Sequence, residues 1–199
     1  MKLNKNINIK QILKEETKGV DIFLDTLSNS YELSEELLSF IKKFIDESEC
    51  KRINFSKFKI GVLGLALESG VLINSTIIGR PLPFVLFVIF HEVAHQYQFK
   101  KYGDDVMYKC YLGDITEKEA ADFMKKTEEV ADEFASRKIK QLQKMGLVGP
   151  FTPPQVYKNM PIQQITMMVN NFRNEMKRNN IDSKEKISEF FYNMVKSEI

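Results

Sequence analysis

Both histidines of this 199-residue chain fall in one window, His91-Glu92-Val93-Ala94-His95, with an acid beside the first of them. On an α-helix the step from His91 to His95 advances about 400° and ~6 Å, so both imidazoles leave one face and can share a tetrahedral metal ion. Glu92 stands one position from the first ligand, able to reach a water on that metal without ligating it. The pattern is that of a metal-assisted hydrolase with Glu92 as general base. The bland alternative is a pair of satisfied core or surface histidines. Against it stands the apolar run Phe84 to Phe90 that leads into the motif, because a polar trio at the end of a buried helix is costly unless something compensates it.

A catalytic zinc ordinarily keeps three protein ligands and one open position. No further histidine exists in the chain, so the third ligand must be a carboxylate. A helical wheel of the segment from Thr116 to Met145 narrows the choice. With Glu128 at zero, Ala131, Ala135 and Ile139 fall within about 60° of it, whereas Glu129 and Glu133 lie roughly 100° and 140° away on the charged side. Glu128 is therefore the carboxylate at the apolar boundary, and Asp132 follows one turn later on the same edge. There Asp132 can accept the second ring N–H of a ligating histidine. An ordinary acid pair on a solvated edge is the alternative for these two residues. A second acidic group, Glu117 to Asp122, lies nearer the histidines but lacks a following Phe-Ala.

The pair His91-Glu92-Val93-Ala94-His95 and Glu128-Glu129-Val130-Ala131-Asp132-Glu133-Phe134-Ala135 resembles the two motifs of gluzincin zinc metallopeptidases, most closely the ImmA/IrrE family of small intracellular enzymes. The stretch VLINSTI ahead of a proline-bounded apolar helix is similar to that family's strand, loop and active-site helix. The resemblance spans about Val71 to Ile139. It implies a zincin-like core with His91, His95 and Glu128 on Zn²⁺, Glu92 as base and Asp132 behind a ligand. It also implies a protein or peptide substrate lying extended along the strand near Val71 to Ile78, and a narrow-specificity or regulatory protease.

The elements that must position these residues follow from periodicity. Apolar residues at helical spacing predict helices from about Ile7 to Leu27 and from Leu33 to Ile45. Short strands are expected between Arg52 and Ile78, the best being Val71 to Ile78. Pro81 and Pro83 suit the start of a helix running to Tyr102, with Gly103 as its stop. The segment from Thr116 to Met145 is amphipathic and ends at Gly146. After the turn-rich stretch around Gly149, Pro150, Pro153 and Pro154, two more helices follow, one carrying Ile165, Met168, Phe172 and Met176, the other Ile187, Phe190, Phe191 and Met194. The fold expected is α+β, mostly helical, with a small sheet preceding a buried active-site helix. One domain over 1–199 accommodates it, divided into N-terminal helices (1–50), a core (51–146) and a helical extension (147–199).

Composition narrows the function. Lysine and arginine number 29 against 27 acids with no basic block, so no nucleic-acid footprint stands out. Lys2, Lys5, Lys10, Lys14 and Lys18 alternate with apolar residues, as on the wet face of a helix. No apolar run approaches the ~20 residues of a membrane span, and the N-terminal stretch lacks the apolar core of a signal peptide. Cys50 and Cys110 have no CxxC partner and suit a reducing, cytoplasmic setting. An additional oxyanion donor cannot be a histidine, which leaves tyrosines such as Tyr97, Tyr108, Tyr111 or Tyr157. Beside the peptidase stand two other classes: a zinc-binding interaction module without catalysis, and a metal-free helical scaffold.

Overall fold

A computed structural model describes residues 9–58, 62–187 and 189–190. The architecture is α+β and mostly helical. In chain order come α1 (Ile9–Tyr31), α2 (Glu35–Glu47), β1 (Ile53–Ser56), β2 (Gly64–Leu67), β3 (Gly70–Asn74), a 3₁₀ turn (Ser75–Ile77), α3 (Leu82–Tyr102), α4 (Asp104–Leu112), α5 (Glu117–Lys144), α6 (Val156–Asn159) and α7 (Ile162–Arg178). The N-terminal lysines Lys2 and Lys5, and Phe191 and Met194 of the expected last helix, lie outside the described residues. No helix among the described residues is long and apolar enough to cross a membrane.

Helix α3 is the axis of the molecule. Its start carries Pro83 in the first turn, and every residue from Val85 to Phe90 is buried. Phe90 is fully covered, edge-on to Phe44 of α2 with ring centroids 4.9 Å apart. Helices α1 and α2, the sheet and the C-terminal half of α5 close around this segment in one apolar cluster. A helix that is apolar on all sides has no solvent face to set its rotation. The surrounding side chains fix it instead.

Helix α5 lies along α3. Its first turn is secured by a capping box: Thr116 accepts from the Glu119 N–H, and the Glu119 carboxylate accepts from the Thr116 N–H. The face turned to α3 carries Ala131, Ala135, Ile139 and Leu142, all fully buried. The two alanines allow the helices to approach closely beside the histidines. Further along, the Lys138 ammonium sits over Phe40, Phe44 and Phe134 at 5.6, 5.2 and 5.7 Å, tying α5 to α2.

The sheet has the order β1-β3-β2, with β1 parallel and β2 antiparallel to β3. Two expectations change here. The strand foreseen over Val71 to Ile78 ends at Asn74, whose side chain accepts from the Thr76 N–H and donates to the Val62 carbonyl, turning the chain into the 3₁₀ turn. That strand is also the central one. Both its edges are taken, so an extended substrate cannot pair with it as the resemblance implied, and the strands at the edges are β1 and β2. Helix α4 was not foreseen. It is nine residues long, ends at Gly113 in the left-handed region, and is held by the burial of Tyr108 and Cys110 rather than by a clear periodic face.

The close α3–α5 approach gives a direct test. Ala135→Leu inserts a bulky group into a fully buried contact and should cost about 1–3 kcal/mol of stability. Since the same helix carries Glu128 and Asp132, metal affinity should fall with it. Chemical unfolding and a metal titration on one preparation check both, and unchanged affinity would show that the acids do not depend on this contact.

Candidate metal centre

The two histidines leave α3 at the point where its apolar stretch ends, and α5 brings Glu128 to them. His91 Nε2 is 3.2 Å from His95 Nε2 and 3.1 Å from Glu128 Oε2, and His95 Nε2 is 3.7 Å from Glu128 Oε1. His91, His95 and Glu128 thus form a cluster able to hold a metal ion, with one donor atom from each within 4.8 Å of the others. Bonds of about 2.0–2.1 Å at tetrahedral angles imply donor separations of roughly 3.3 Å, which these distances bracket. Glu129 and Glu133 are not members of the cluster.

The other ring nitrogens show which atoms face the cluster's centre. His95 Nδ1 lies 2.8 Å from Gln98 Oε1, and the Gln98 amide nitrogen donates to the Thr127 carbonyl at 2.7 Å. That second bond fixes the amide's orientation, so Oε1 accepts and His95 Nδ1 carries the hydrogen. The Nε2 lone pair of His95 then points at His91 and Glu128. His91 Nδ1 is 2.9 Å from Asp132 Oδ1, a close ionic contact whose angle falls short of hydrogen-bond geometry. One Asp132 oxygen, Oδ2, is buried without a hydrogen-bond partner among the described residues. Two imidazole lone pairs and a carboxylate facing one another at such distances repel unless a cation lies between them. The donor set, two nitrogens and one oxygen, suits a borderline ion such as zinc.

Electrostatics agree. Burial opposes a charge on His91, but Asp132 and Glu128 outweigh it and raise its pKa to about 10. Burial likewise opposes ionisation of Glu128, yet His95 and His91 hold its carboxyl well below the usual carboxylate range. Without metal, the positive charge at the centre is therefore a proton. Burial dominates at Glu92 and pushes its pKa up, although both histidines and a hydrogen bond from the Ala66 backbone lower it. This carboxylate lies against β2, where a Cβ on Gly64 would come 2.3 Å from Glu92 Cγ and 2.7 Å from Oε1. Gly64 is glycine for space.

Three groups at the site escaped the sequence reading. Gln98 is buried and stands three residues after His95, on the same helix face; a polar amide on a buried helix was the available signal. Gln96, also buried, donates to the Leu67 carbonyl and ties α3 to β2. Gly64 offered no local signal. Of the four tyrosines, Tyr108, Tyr111 and Tyr157 line the cavity beside the cluster. Tyr97 packs on Phe134 instead. No family model, curated protein or solved structure matches this chain.

Two outcomes follow. His91 has a raised pKa when metal-free, so at neutral pH it holds a proton that a bound ion must displace. Apparent affinity should rise about tenfold per pH unit for each proton displaced, and level off above about 10, where His91 is already neutral. Calorimetry in buffers of different ionisation enthalpy counts the protons, and release of none at pH 7 would contradict the assignment. Separately, Gln98→Ala and Asp132→Ala should each weaken metal binding by about 10- to 100-fold, measured against a chromophoric chelator.

Proposed function

We propose that the chain is a zinc-dependent peptidase of the gluzincin type, most like the ImmA/IrrE family, acting on a protein or peptide substrate. The observation that carries this reading is the convergence of His91 Nε2, His95 Nε2 and Glu128 on one point, with a buried carboxylate, Glu92, beside it. A zinc ion held there would lower the pKa of a water toward neutrality and polarise a carbonyl oxygen. The remaining chemistry belongs to the chain.

Glu92 takes the proton of the attacking water and passes it to the leaving amine. Its raised pKa suits both transfers, since a carboxylate of ordinary acidity would hold the proton too weakly in between. The missing side chain of Gly64 leaves room for the carboxylate against β2. Tyr157, from the short helix α6 that lines the cavity, would donate to the oxygen that becomes negative during attack. Burial holds its hydroxyl protonated through the working pH range.

Strand β2 suits the role of substrate guide. The Leu63 carbonyl accepts from the Asn74 N–H across the ladder, so Leu65 and Leu67 continue that pairing while Gly64 and Ala66 turn their backbone groups to the free edge. An extended segment laid there would run past Glu92.

Glu92→Gln is the deciding variant. It keeps the shape of the side chain but cannot accept a proton, and should retain a full complement of zinc while cleavage falls by at least about 10²-fold. Metal content by elemental analysis and cleavage of a protein substrate are the two measurements. Full cleavage by zinc-replete Glu92→Gln would remove Glu92 from the chemistry, and a biological effect that survives without cleavage would favour the interaction-module reading.

A further inference from the structure

The cavity beside the cluster has a volume of about 440 Å³. That is far more than an ion and a water need, and within the range of pockets that enclose part of a ligand. Beyond Thr127 and three tyrosines, its polar lining is limited to the ionisable acids and histidines of the three donors, Glu92 and Asp132. Away from them it runs between α3, α4, α5 and α7, where Phe99, Met107, Tyr111, Met124 and Phe172 supply the wall. Charged side chains among the described lining belong to the metal centre alone. At the rim, Leu63 just ahead of β2 and Val156 on α6 are 43% and 50% exposed, so the apolar surface continues outward.

A pocket of this kind takes up a side chain by removing apolar area from water. A chain terminus in the same place would carry an ammonium or carboxylate against aromatic and thioether groups, at a large desolvation cost. An internal residue brings only its side chain, while its backbone stays at the strand edge. We propose, building on the peptidase reading, that this chamber is a specificity pocket and selects a bulky apolar side chain, aromatic or of leucine or methionine size. That residue flanks the scissile bond within an internal, extended stretch of polypeptide. Met107 and Met124 shape the chamber, one from α4 and the other from α5, and their unbranched thioethers adapt to more than one such guest.

The pocket can be read without turnover. Short peptides ending in a hydroxamate, which grips the metal, would carry a benzyl, isobutyl, methyl or carboxyethyl group at the adjoining residue, and their affinities for zinc-loaded protein would be measured by calorimetry. Benzyl and isobutyl should exceed methyl by about 10- to 100-fold, and carboxyethyl should bind worst. Met107→Lys, on a half-buried position, should turn the order toward carboxyethyl while zinc content stays at wild-type level. Should that variant fail to fold, Met124→Ala should move the optimum from benzyl to the larger naphthylmethyl. Zinc-dependent binding with equal affinity for all four side chains overturns the pocket and leaves the peptidase reading intact. Absence of zinc-dependent binding overturns both.

Discussion

Three electron-rich groups facing one another at 3.1 to 3.7 Å are the constraint on which the rest of this structure turns. His91 Nε2 and His95 Nε2 are 3.2 Å apart, and Glu128 closes the triangle. Such an arrangement is unfavourable in a buried place unless a positive charge occupies the middle. In the metal-free protein a proton on His91 serves, shared toward Glu128, and the strongly raised histidine and lowered carboxyl pKa values express that coupling. A divalent ion satisfies all three lone pairs where a proton serves them unequally. Gln98 and Asp132 maintain the arrangement by engaging the outward nitrogens, so the inward ones keep their lone pairs.

The apolar core provides the rigidity this requires. A free histidine cluster would relax by rotating its rings apart. Here α3 is packed on all sides up to Phe90, one residue before His91, and α5 is locked along it by fully buried Ala135, Ile139 and Leu142. Two glutamines complete the clamp from within. Gln96 ties α3 to β2 through the Leu67 carbonyl, and Gln98 ties it to α5 through the Thr127 carbonyl, the residue before Glu128. Burying these amides is tolerable because their nitrogens find backbone carbonyls and the Gln98 oxygen accepts from His95. One side chain therefore both orients a histidine and sets the distance to the helix that brings the acid.

What the sequence made legible was whatever depends on local spacing. The His91 to His95 step fixes a shared face on any helix, and the apolar stripe of α5 singles out Glu128 over Glu129 before any tertiary contact is known. Mostly helical α+β architecture followed from the same periodicities. The role of Gly64 was hidden because it rests on the nearness of Glu92, a contact across 28 positions in the chain that no local pattern encodes. Strand order was hidden for a similar reason: Val71 to Asn74 is the most apolar of the strand segments because it is central, and that burial removes it as a guide for substrate. Helix α4 has too few turns to display a period.

The stretch between His95 and Glu128 serves two ends. A short connection would suffice to return a third donor to the histidines. Instead the chain completes α3, forms all of α4 and runs about three turns of α5 before Glu128 arrives. Those turns supply Phe99, Met107, Tyr111 and Met124, which together with Phe172 of α7 wall the chamber beside the cluster. Arg173 of α7 secures that wall, donating to the Cys110 carbonyl at the end of α4 and to the Ile115 carbonyl ahead of α5. The distance in sequence between the second histidine and the acid is thus occupied by the material of the pocket. Geometry at the metal and shape in the chamber are set by the same helices, and a change in how α4 and α5 pack must alter both.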